Sequence, residues 1–374
     1  MFHDEYLTLD RESMKRAVVS EDVQKAAVAA GREDLRFEDF LALLSPGAAD
    51  LLDAMALSSR ALTQRHFGRN IGMYIPLYLS NECTNECVYC GFNRNNAINR
   101  RTLTGPEVER ELEAIQQQGY DSILLLTGEA PARAGLDYIA RCVASARRHF
   151  TQVSLEIYPM DTDGYRRLVD AGATGLALYQ ETYDRETYAK VHLSGRKSHF
   201  QWRLDAPDRA AAAGFRRIGI GALLGLSDWR LEAAHVGAHA AYLMRKYWRT
   251  EISVSFPRMR ECPSAFKPHC AVTDRELVQM LFALRIYTKS AGMALSTRES
   301  PWFRDHMVDL GVTSMSAGSK TNPGGYGTYS KSESQGQFEI CDDRSLEQVQ
   351  AAIRGRGYCP VLKDWSETFG GVQP

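Results

Sequence analysis

The sequence has no long apolar run, no excess of charge of one sign and no dense set of cysteines. None of its apolar segments approaches the ~20 residues of a membrane-spanning helix. Its first residues, MFHDEYLTLDRESMKR, lack the basic segment followed by an apolar stretch that marks a secretory signal. Lysine and arginine number 45 and aspartate and glutamate 46, for a formal net charge of −1. These absences predict a cytoplasmic protein whose main partner is neither a membrane nor nucleic acid.

Eight cysteines in 374 residues are too few for a disulfide scaffold. Three of them, Cys83, Cys87 and Cys90, fall within eight residues. The others form no close pair, and we expect ordinary buried thiols at Cys142, Cys262, Cys270, Cys341 and Cys359. The distribution of the cysteines therefore carries more information than their number.

Apolar spacing divides the chain into three parts. Residues 1–70 place apolar side chains three and four positions apart, which predicts an N-terminal helical extension. Residues 71–320 alternate short apolar strands with amphipathic helices, which predicts an α/β fold, a (β/α)8 TIM-type barrel. The helix after the first strand is predicted to begin at a capping box formed by Thr104 and Glu107. The predicted strands are residues 74–80, 121–128, 152–159, 174–181, 216–225, 250–258, 292–299 and 311–319. Residues 321–374 begin with a polar Gly/Ser loop and end in a short helix and the strand-like VLKDW, residues 361–365. They predict a C-terminal extension that caps the barrel.

The cysteine triad directly follows the first predicted strand, at the barrel end where catalytic loops lie. Three thiolates at C-x3-C-x2-C spacing can hold three irons of a 4Fe–4S cluster and leave the fourth iron open for a ligand. A structural zinc site is the alternative, but zinc needs a fourth ligand and no Cys or His follows before Cys142. His235 and His239, four positions apart, lack the glutamate of an HExxH motif and are interpreted as helix residues.

The stretch CTNECVYCGF resembles the signature of the radical S-adenosylmethionine (SAM) superfamily, with Tyr89 as the aromatic residue before the last cysteine. Other segments, among them LLLTGEAP, SLEIYPM, LYQETYD, LSTRES and SAGSKTNPGGY, resemble the aromatic amino-acid lyases, especially the tyrosine lyases of thiamine thiazole biosynthesis. The likeness extends over about residues 75–365. It implies a radical SAM barrel that holds one 4Fe–4S cluster and SAM.

The resemblance also implies which residues bind SAM. They follow successive strands, where polar groups are costly in a core but natural at a barrel mouth. The residues are Tyr89, Thr127, Gly128, Glu129, Glu156, Gln180, Glu181, Arg203, Gly221 and Leu223. A surface ion pair remains an alternative for Arg203. The glycines around Gly221 look like a dinucleotide fingerprint, but they do not open a following helix.

Arg298 and Ser316 end the seventh and eighth predicted strands. An arginine can grip a carboxylate with two hydrogen bonds, and by resemblance this pair holds the carboxylate of the amino-acid substrate. An ion pair between Arg298 and the adjacent Glu299 is the alternative.

The reaction implied is cleavage of the Cα–Cβ bond of L-tyrosine to 2-iminoacetate and p-cresol, with SAM converted to 5′-deoxyadenosine and methionine. A one-electron donor such as flavodoxin and a thiazole synthase are the implied partners. Three other interpretations stay open: a tryptophan lyase, a hydrogenase maturase that carries a second cluster, and a zinc-stabilised barrel acting as a binding subunit.

Overall fold

Eight parallel strands close into a barrel in the computed structural model, which describes residues 1–260, 266–327, 329 and 335–363. The strands follow one another around the ring, and pairing of β1 with both β8 and β2 closes it. Their bounds are β1 Asn70–Ser80, β2 Ser122–Thr127, β3 Gln152–Glu156, β4 Gly175–Ala177, β5 Arg217–Gly221, β6 Glu251–Ser255, β7 Gly292–Leu295 and β8 Ser314–Ser316. The predicted (β/α)8 barrel is confirmed, and each predicted strand overlaps an observed one.

Helices surround the barrel, and several begin at the residues that the sequence marks as helix starts. The helix bounds are α1 Phe2–Thr8, α2 Arg11–Val18, α3 Val23–Ala30, α4 Phe37–Leu44, α5 Leu52–Phe67, α6 Gly105–Gln117, α7 Leu136–Ala146, α8 Thr162–Asp170, α9 Arg185–Val191, α10 Phe200–Leu204, α11 Ala206–Ala213, α12 Trp229–Lys246, α13 Asp274–Thr288, α14 Pro301–Met307 and α15 Leu346–Gly355. Short 3-10 helices lie at Pro46–Leu51 and Arg196–Ser198. At the start of α6, the Glu107 carboxylate accepts from the Thr104 backbone N–H at 2.7 Å, in the predicted capping box.

The first five helices precede the barrel and pack on its outside, α5 against α13. The ring of Phe2 in α1 stacks on His239 of α12 at 3.9 Å between ring centres, and the Phe2 backbone N–H donates to Asp208. His235 and His239 both lie in α12, as predicted, and both are buried; the ring of His235 stacks on Tyr183 at 5.7 Å. Among the described residues no single helix is long and apolar enough to cross a membrane; Phe37–Leu44 and Pro46–Phe67 meet that criterion only as a pair, which is bent by 82°.

Residues after β8 reach both ends of the barrel. A ninth strand, β9 Cys359–Val361, pairs in parallel with the start of β1, where Cys359 faces Asn70. Gln337 and Phe338 lie at the opposite end, where the strands finish. Cys262 and the last two residues of the VLKDW segment, Asp364 and Trp365, lie outside the described residues.

Candidate active site

The cysteine loop follows β1 and is held in place by two neighbouring loops. The Thr84 backbone N–H donates to the Glu129 carbonyl at 2.9 Å, and the Asn85 side-chain amide donates to the Glu129 carboxylate at 2.7 Å. On the other side, the Glu86 backbone N–H donates to the Ser194 carbonyl at 3.1 Å. The loop conformation is therefore fixed by contacts that do not use the thiols.

The three thiols differ in exposure. Cys87 is buried, whereas Cys83 and Cys90 are half-buried. Burial raises the pKa of the Cys87 and Cys90 thiols, so a cation such as iron is needed to stabilise them as thiolates. In the part of the chain that the structure describes, no three His, Cys, Asp or Glu side chains converge closely enough to hold a single metal ion. A mononuclear site needs its ligands to converge on one ion, whereas in a cluster each thiolate binds a different iron.

Two side chains from distant parts of the sequence, Gln337 and His192, contact residues of the cysteine loop. The Gln337 side-chain amide donates to the Cys90 sulfur at 3.5 Å, and the Tyr78 hydroxyl donates to the Gln337 carbonyl oxygen at 2.8 Å.

The Tyr89 hydroxyl lies 2.8 Å from His192 Nε2. His192 Nδ1 lies 3.0 Å from the Tyr188 carbonyl, which only accepts, so Nδ1 carries the proton and Nε2 accepts from Tyr89. Burial lowers the pKa of His192, which keeps the imidazole neutral.

One cavity at the carboxyl ends of the strands collects seven of the predicted site residues. They are Tyr89, Cys90, Glu156, Glu181, Leu223, Arg298 and Ser316. Cys83, Cys87, Thr127, Gly128, Glu129, Gln180, Arg203 and Gly221 do not line this cavity. Polar residues from β3, β4, β7 and β8 thus meet where the barrel opens, as a catalytic end requires.

The residues after β2 support the cysteine loop. A Cβ on Gly128 would lie 2.3 Å from the Glu82 carbonyl oxygen, so only glycine fits between the two loops. The Glu129 carboxylate is already bound to Asn85. The Thr127 hydroxyl is buried and has no hydrogen-bond partner among the described residues, so it is free to bind a ligand group.

Glu181 is held by two cations. Lys197 Nζ lies 2.7 Å from its carboxylate and an Arg203 nitrogen lies 3.4 Å from it. Burial alone would raise the pKa of Glu181, but these cations outweigh burial and hold it below its ordinary value. Arg203 is only 8% exposed and also donates to the Tyr179 carbonyl, which excludes a surface ion pair. Glu181 has a φ of 72°, a strained conformation for a non-glycine residue and one that concentrates at functional sites.

Glu156 has a different environment from Glu181 although both line the cavity. Burial, reinforced by the charge of Glu181, raises the pKa of Glu156 to about 7. The two carboxyl groups therefore differ in protonation near neutral pH, which is common where a site binds or moves protons. Gln180 is buried beside them, and its side-chain amide donates to the Phe200 carbonyl at 3.4 Å.

Arg298 is an unpaired cation in the cavity. Its guanidinium lies over the Phe338 ring at 3.3 Å from the ring centre and has no hydrogen-bond or ion-pair partner among the described side chains. Glu299 instead accepts from Arg258 at 3.0 Å and Arg260 at 3.2 Å, so the alternative ion pair with Arg298 is not formed. Ser316 is buried and lines the same cavity, and its hydroxyl accepts from the Thr297 backbone N–H at 3.3 Å. An unpaired guanidinium suits an anionic ligand.

The lining residues that escaped the sequence interpretation include Tyr74, Tyr179, Lys197, Gln337 and Phe338. Tyr74 and Tyr179 are inward-facing strand residues whose position was visible, but aromatic residues in strands are usually core. Lys197, Gln337 and Phe338 come from loops with no distinctive motif, and only the fold brings them to the cavity.

The comparisons with known proteins agree with this geometry. A family model described as the radical SAM superfamily matches residues 77–235, and one described as the Biotin and Thiamin Synthesis associated domain matches residues 255–359. The barrel and its cysteine triad are those of the radical SAM class of enzymes, which use a 4Fe–4S cluster, SAM and an electron donor. The chain is 41% identical to the 2-iminoacetate synthases of Salmonella typhimurium and Escherichia coli, over 99% of this chain and 98% of each relative. It belongs to the 2-iminoacetate synthase family.

A solved structure shares the architecture. The FeFe-hydrogenase maturase HydG from Carboxydothermus hydrogenoformans superposes with a TM-score of 0.82 at 33% identity, covering 96% of this chain and 82% of that one. The fold is therefore shared with a protein named for a different role, and the site must decide the function.

Proposed function

We propose that this protein is a radical SAM lyase that cleaves the Cα–Cβ bond of L-tyrosine and forms 2-iminoacetate and p-cresol for thiamine thiazole synthesis. The observation that carries the proposal is the shared cavity of Cys90 and the unpaired Arg298. A cluster ligand and an anchor for a carboxylate face the same space. The near full-length similarity to 2-iminoacetate synthases supports tyrosine as the amino acid.

The cluster and SAM would be held by residues around the mouth of the barrel. Cys83, Cys87 and Cys90 would bind three irons, while Thr127, Glu156, Glu181 and Leu223 would contact SAM. When bound, these cofactors supply the 5′-deoxyadenosyl radical that takes a hydrogen atom from the substrate. The buried Thr127 hydroxyl and the charged Glu181 suit the polar groups of SAM.

Arg298 would fix the tyrosine carboxylate with two hydrogen bonds, and Ser316 would add a third. Phe338 restricts the guanidinium from one face, so the carboxylate must approach from the cavity side. The Glu156 carboxyl, with a pKa of about 7, can exchange a proton with a bound amino or ribose group near neutral pH.

We infer a single cluster from the positions of the two described cysteines nearest the C-terminus, Cys341 and Cys359. The Cys341 backbone N–H donates to the Thr297 carbonyl, after β7, whereas the Cys359 backbone N–H donates to Arg69, before β1. These thiols therefore lie at opposite ends of the barrel and cannot share a second cluster. Without one, the enzyme should stop at 2-iminoacetate and not continue to carbon monoxide and cyanide as a maturase would.

Two partners complete the proposal. The cluster needs a one-electron donor such as flavodoxin, and 2-iminoacetate, which hydrolyses in water, needs a thiazole synthase that consumes it. Tryptophan lyase remains the second candidate because its substrate has the same carboxylate and amino groups.

An anaerobic assay with tyrosine and tryptophan at equal concentration tests the proposal. We expect p-cresol, 5′-deoxyadenosine and glyoxylate from hydrolysed 2-iminoacetate. An indole product in higher yield than p-cresol would establish the tryptophan enzyme. Carbon monoxide or cyanide released in proportion to p-cresol would establish the maturase.

A further inference from the structure

The cysteine loop is covered by a second segment on a side that does not face the catalytic cavity. Cys90 lines that cavity, whereas Cys87 does not. Cys87 instead pairs with His192 in an antiparallel bridge. Next to this bridge, the Leu193 backbone N–H donates to the Glu86 carbonyl at 3.0 Å. A short extended segment after α9 therefore lies alongside the loop and extends its pairing.

This covering segment, residues 191–195, is packed directly on the loop. A Cβ on Gly195 would overlap the Asn85 side chain, and Gly195 has a φ of 88°, so only glycine fits at this position. None of the five residues lines the catalytic cavity. Paired strands lie about 4.8 Å apart, so a single layer of residues separates the buried Cys87 from the molecules that touch the covering segment.

The covering segment carries an exposed apolar side chain. Leu193 is 60% exposed, and it is the one large apolar side chain exposed within residues 81–103 and 187–200, all of which the structure describes. A single exposed leucine is common on protein surfaces and identifies no site by itself. The charges around Leu193 are therefore decisive.

Those charges are of one sign. Within the same two ranges the exposed charged side chains are Arg94, Lys190 and Arg196, and no carboxylate is exposed. Lys190 directly precedes the covering segment and Arg196 directly follows it.

Arg94 reaches the covering segment through a shared carboxylate. Glu86 accepts from Arg94 at 2.8 Å and from the Ser194 hydroxyl at 2.8 Å, and only 18% of its side chain is exposed. The exposed surface thus keeps an excess of positive charge, although the whole chain has a formal net charge of −1.

The proposed reaction needs an electron while SAM and tyrosine fill the catalytic cavity. A protein donor cannot enter that space and must approach the cluster loop from outside. The covering segment offers such an approach, because one layer of residues lies over a cluster ligand and its surface is positive with an apolar side chain at the middle.

We propose that Leu193 and the cations Arg94, Lys190 and Arg196 form the docking surface of an acidic one-electron carrier protein. The inference rests on the proposed function, which requires such a donor. The carrier is oxidised by one electron and the cluster is reduced by one electron, and no atom is transferred. Attraction between opposite charges speeds the encounter, and an apolar centre with a charged rim suits a small, transient interface.

The double variant Lys190→Glu/Arg196→Glu tests the docking surface with flavodoxin as the probe. Loss of the cluster absorbance after rapid mixing with reduced flavodoxin gives a second-order rate constant. We expect this constant to fall about tenfold at low ionic strength and to lose most of its dependence on salt. Reduction by photoreduced 5-deazariboflavin, a small uncharged reductant that needs no docking surface, should proceed as in wild type, and p-cresol formed after it should be unchanged.

Matched controls separate the site from net charge and from general surface apolarity. Arg16→Glu/Lys25→Glu makes the same change in net charge at exposed positions of α2 and α3 and should leave the flavodoxin rate constant as in wild type. Leu193→Ser should lower the constant several-fold and keep its salt dependence. Leu57→Ser, at a leucine that is 68% exposed on α5, should have no effect.

Lys190→Gln/Arg196→Gln should give a smaller loss in the same direction, and it remains informative if the glutamate variant does not fold. Equal flavodoxin rate constants in the charge-reversed variant and its control would overturn the docking surface. Equal losses with flavodoxin and with deazariboflavin would overturn it as well, because the residues would then act on the cluster itself. Absence of p-cresol from the wild-type enzyme after reduction by deazariboflavin would instead overturn the proposed function, while the flavodoxin rate constants would still decide the docking surface.

Discussion

The side-chain amide of Gln337 donates a hydrogen bond to the sulfur of Cys90, although the two residues are 247 positions apart in the chain. The same amide group accepts from Tyr78 through its oxygen, which fixes its orientation. Hydrogen bonds to cysteine sulfur stabilise negative charge and raise the reduction potential of an iron–sulfur cluster. The segment after the barrel therefore contributes to the electronic environment of the cluster loop.

Gln337→Leu should lower the cluster potential. Removing a hydrogen bond of roughly 1 kcal/mol corresponds to a change on the order of 40 mV for a one-electron couple. A redox titration followed by electron paramagnetic resonance measures the change. Gln24→Leu, on the exposed side of α3, is the control. An unchanged potential in the Gln337 variant would show that the contact with Cys90 has no electronic effect.

Each of the single substitutions Cys83→Ala, Cys87→Ala and Cys90→Ala should abolish the brown 4Fe–4S absorbance and SAM cleavage, because the cubane cluster loses one of its three protein ligands. Alanine at Cys341 or Cys359 should leave both intact. Iron and sulfide analysis after anaerobic reconstitution measures the number of iron and sulfide ions bound per chain in each variant. A cluster lost from either C-terminal variant would revive the two-cluster interpretation.

Arg298→Ala should raise the tyrosine KM by about 10- to 150-fold, which corresponds to the ~1.5–3 kcal/mol of hydrogen bonds to a charged group. Slow SAM cleavage by the reduced enzyme should continue without tyrosine. Arg298→Lys should recover part of the affinity, since it keeps the charge but not the paired geometry. Wild-type tyrosine affinity in the alanine variant would contradict the role of Arg298.

Glu156 should make the protein less stable as pH rises. Its folded pKa of about 7 exceeds the ordinary carboxyl value, so the folded state holds a proton that the unfolded state has lost. The resulting loss in the free energy of unfolding grows from about pH 4.5 and is complete above pH 7. It is at most about 3 kcal/mol, and the partial exposure of the side chain makes it smaller. The melting temperature of Glu156→Gln should therefore rise above that of wild type between pH 5 and 8. A constant difference across that range would contradict the raised pKa.

Most of the fold that could be predicted depends on patterns among residues close together in the sequence. The apolar strands and the Thr104–Glu107 capping box depend on neighbours in sequence, and they appear where they were expected. The strand β9 overlaps the predicted terminal strand only at Val361, because pairing with β1 decides its position.

The site was predictable where a residue ends a strand, because parallel strands bring their carboxyl ends together. Arg298 and Glu156 reach the cavity for that reason. Lys197 and Gln337 were missed because long-range packing places them there. Glu129 was expected near SAM, but its side chain binds Asn85 of the cysteine loop. The order of the strands places Glu129 at the barrel mouth but does not tell which group its carboxylate binds.

The pairing of β1 with β8 has a consequence for the synthesis of the protein on the ribosome. The cysteine loop follows β1 and leaves the ribosome early, whereas β8, Arg298 and Gln337 are translated near the other end of the chain. Until then β1 has an open edge and the three thiols have no enclosing cavity. The enclosure of the three thiols is therefore completed only late in translation, when β8 and the segment that carries Gln337 have been synthesised.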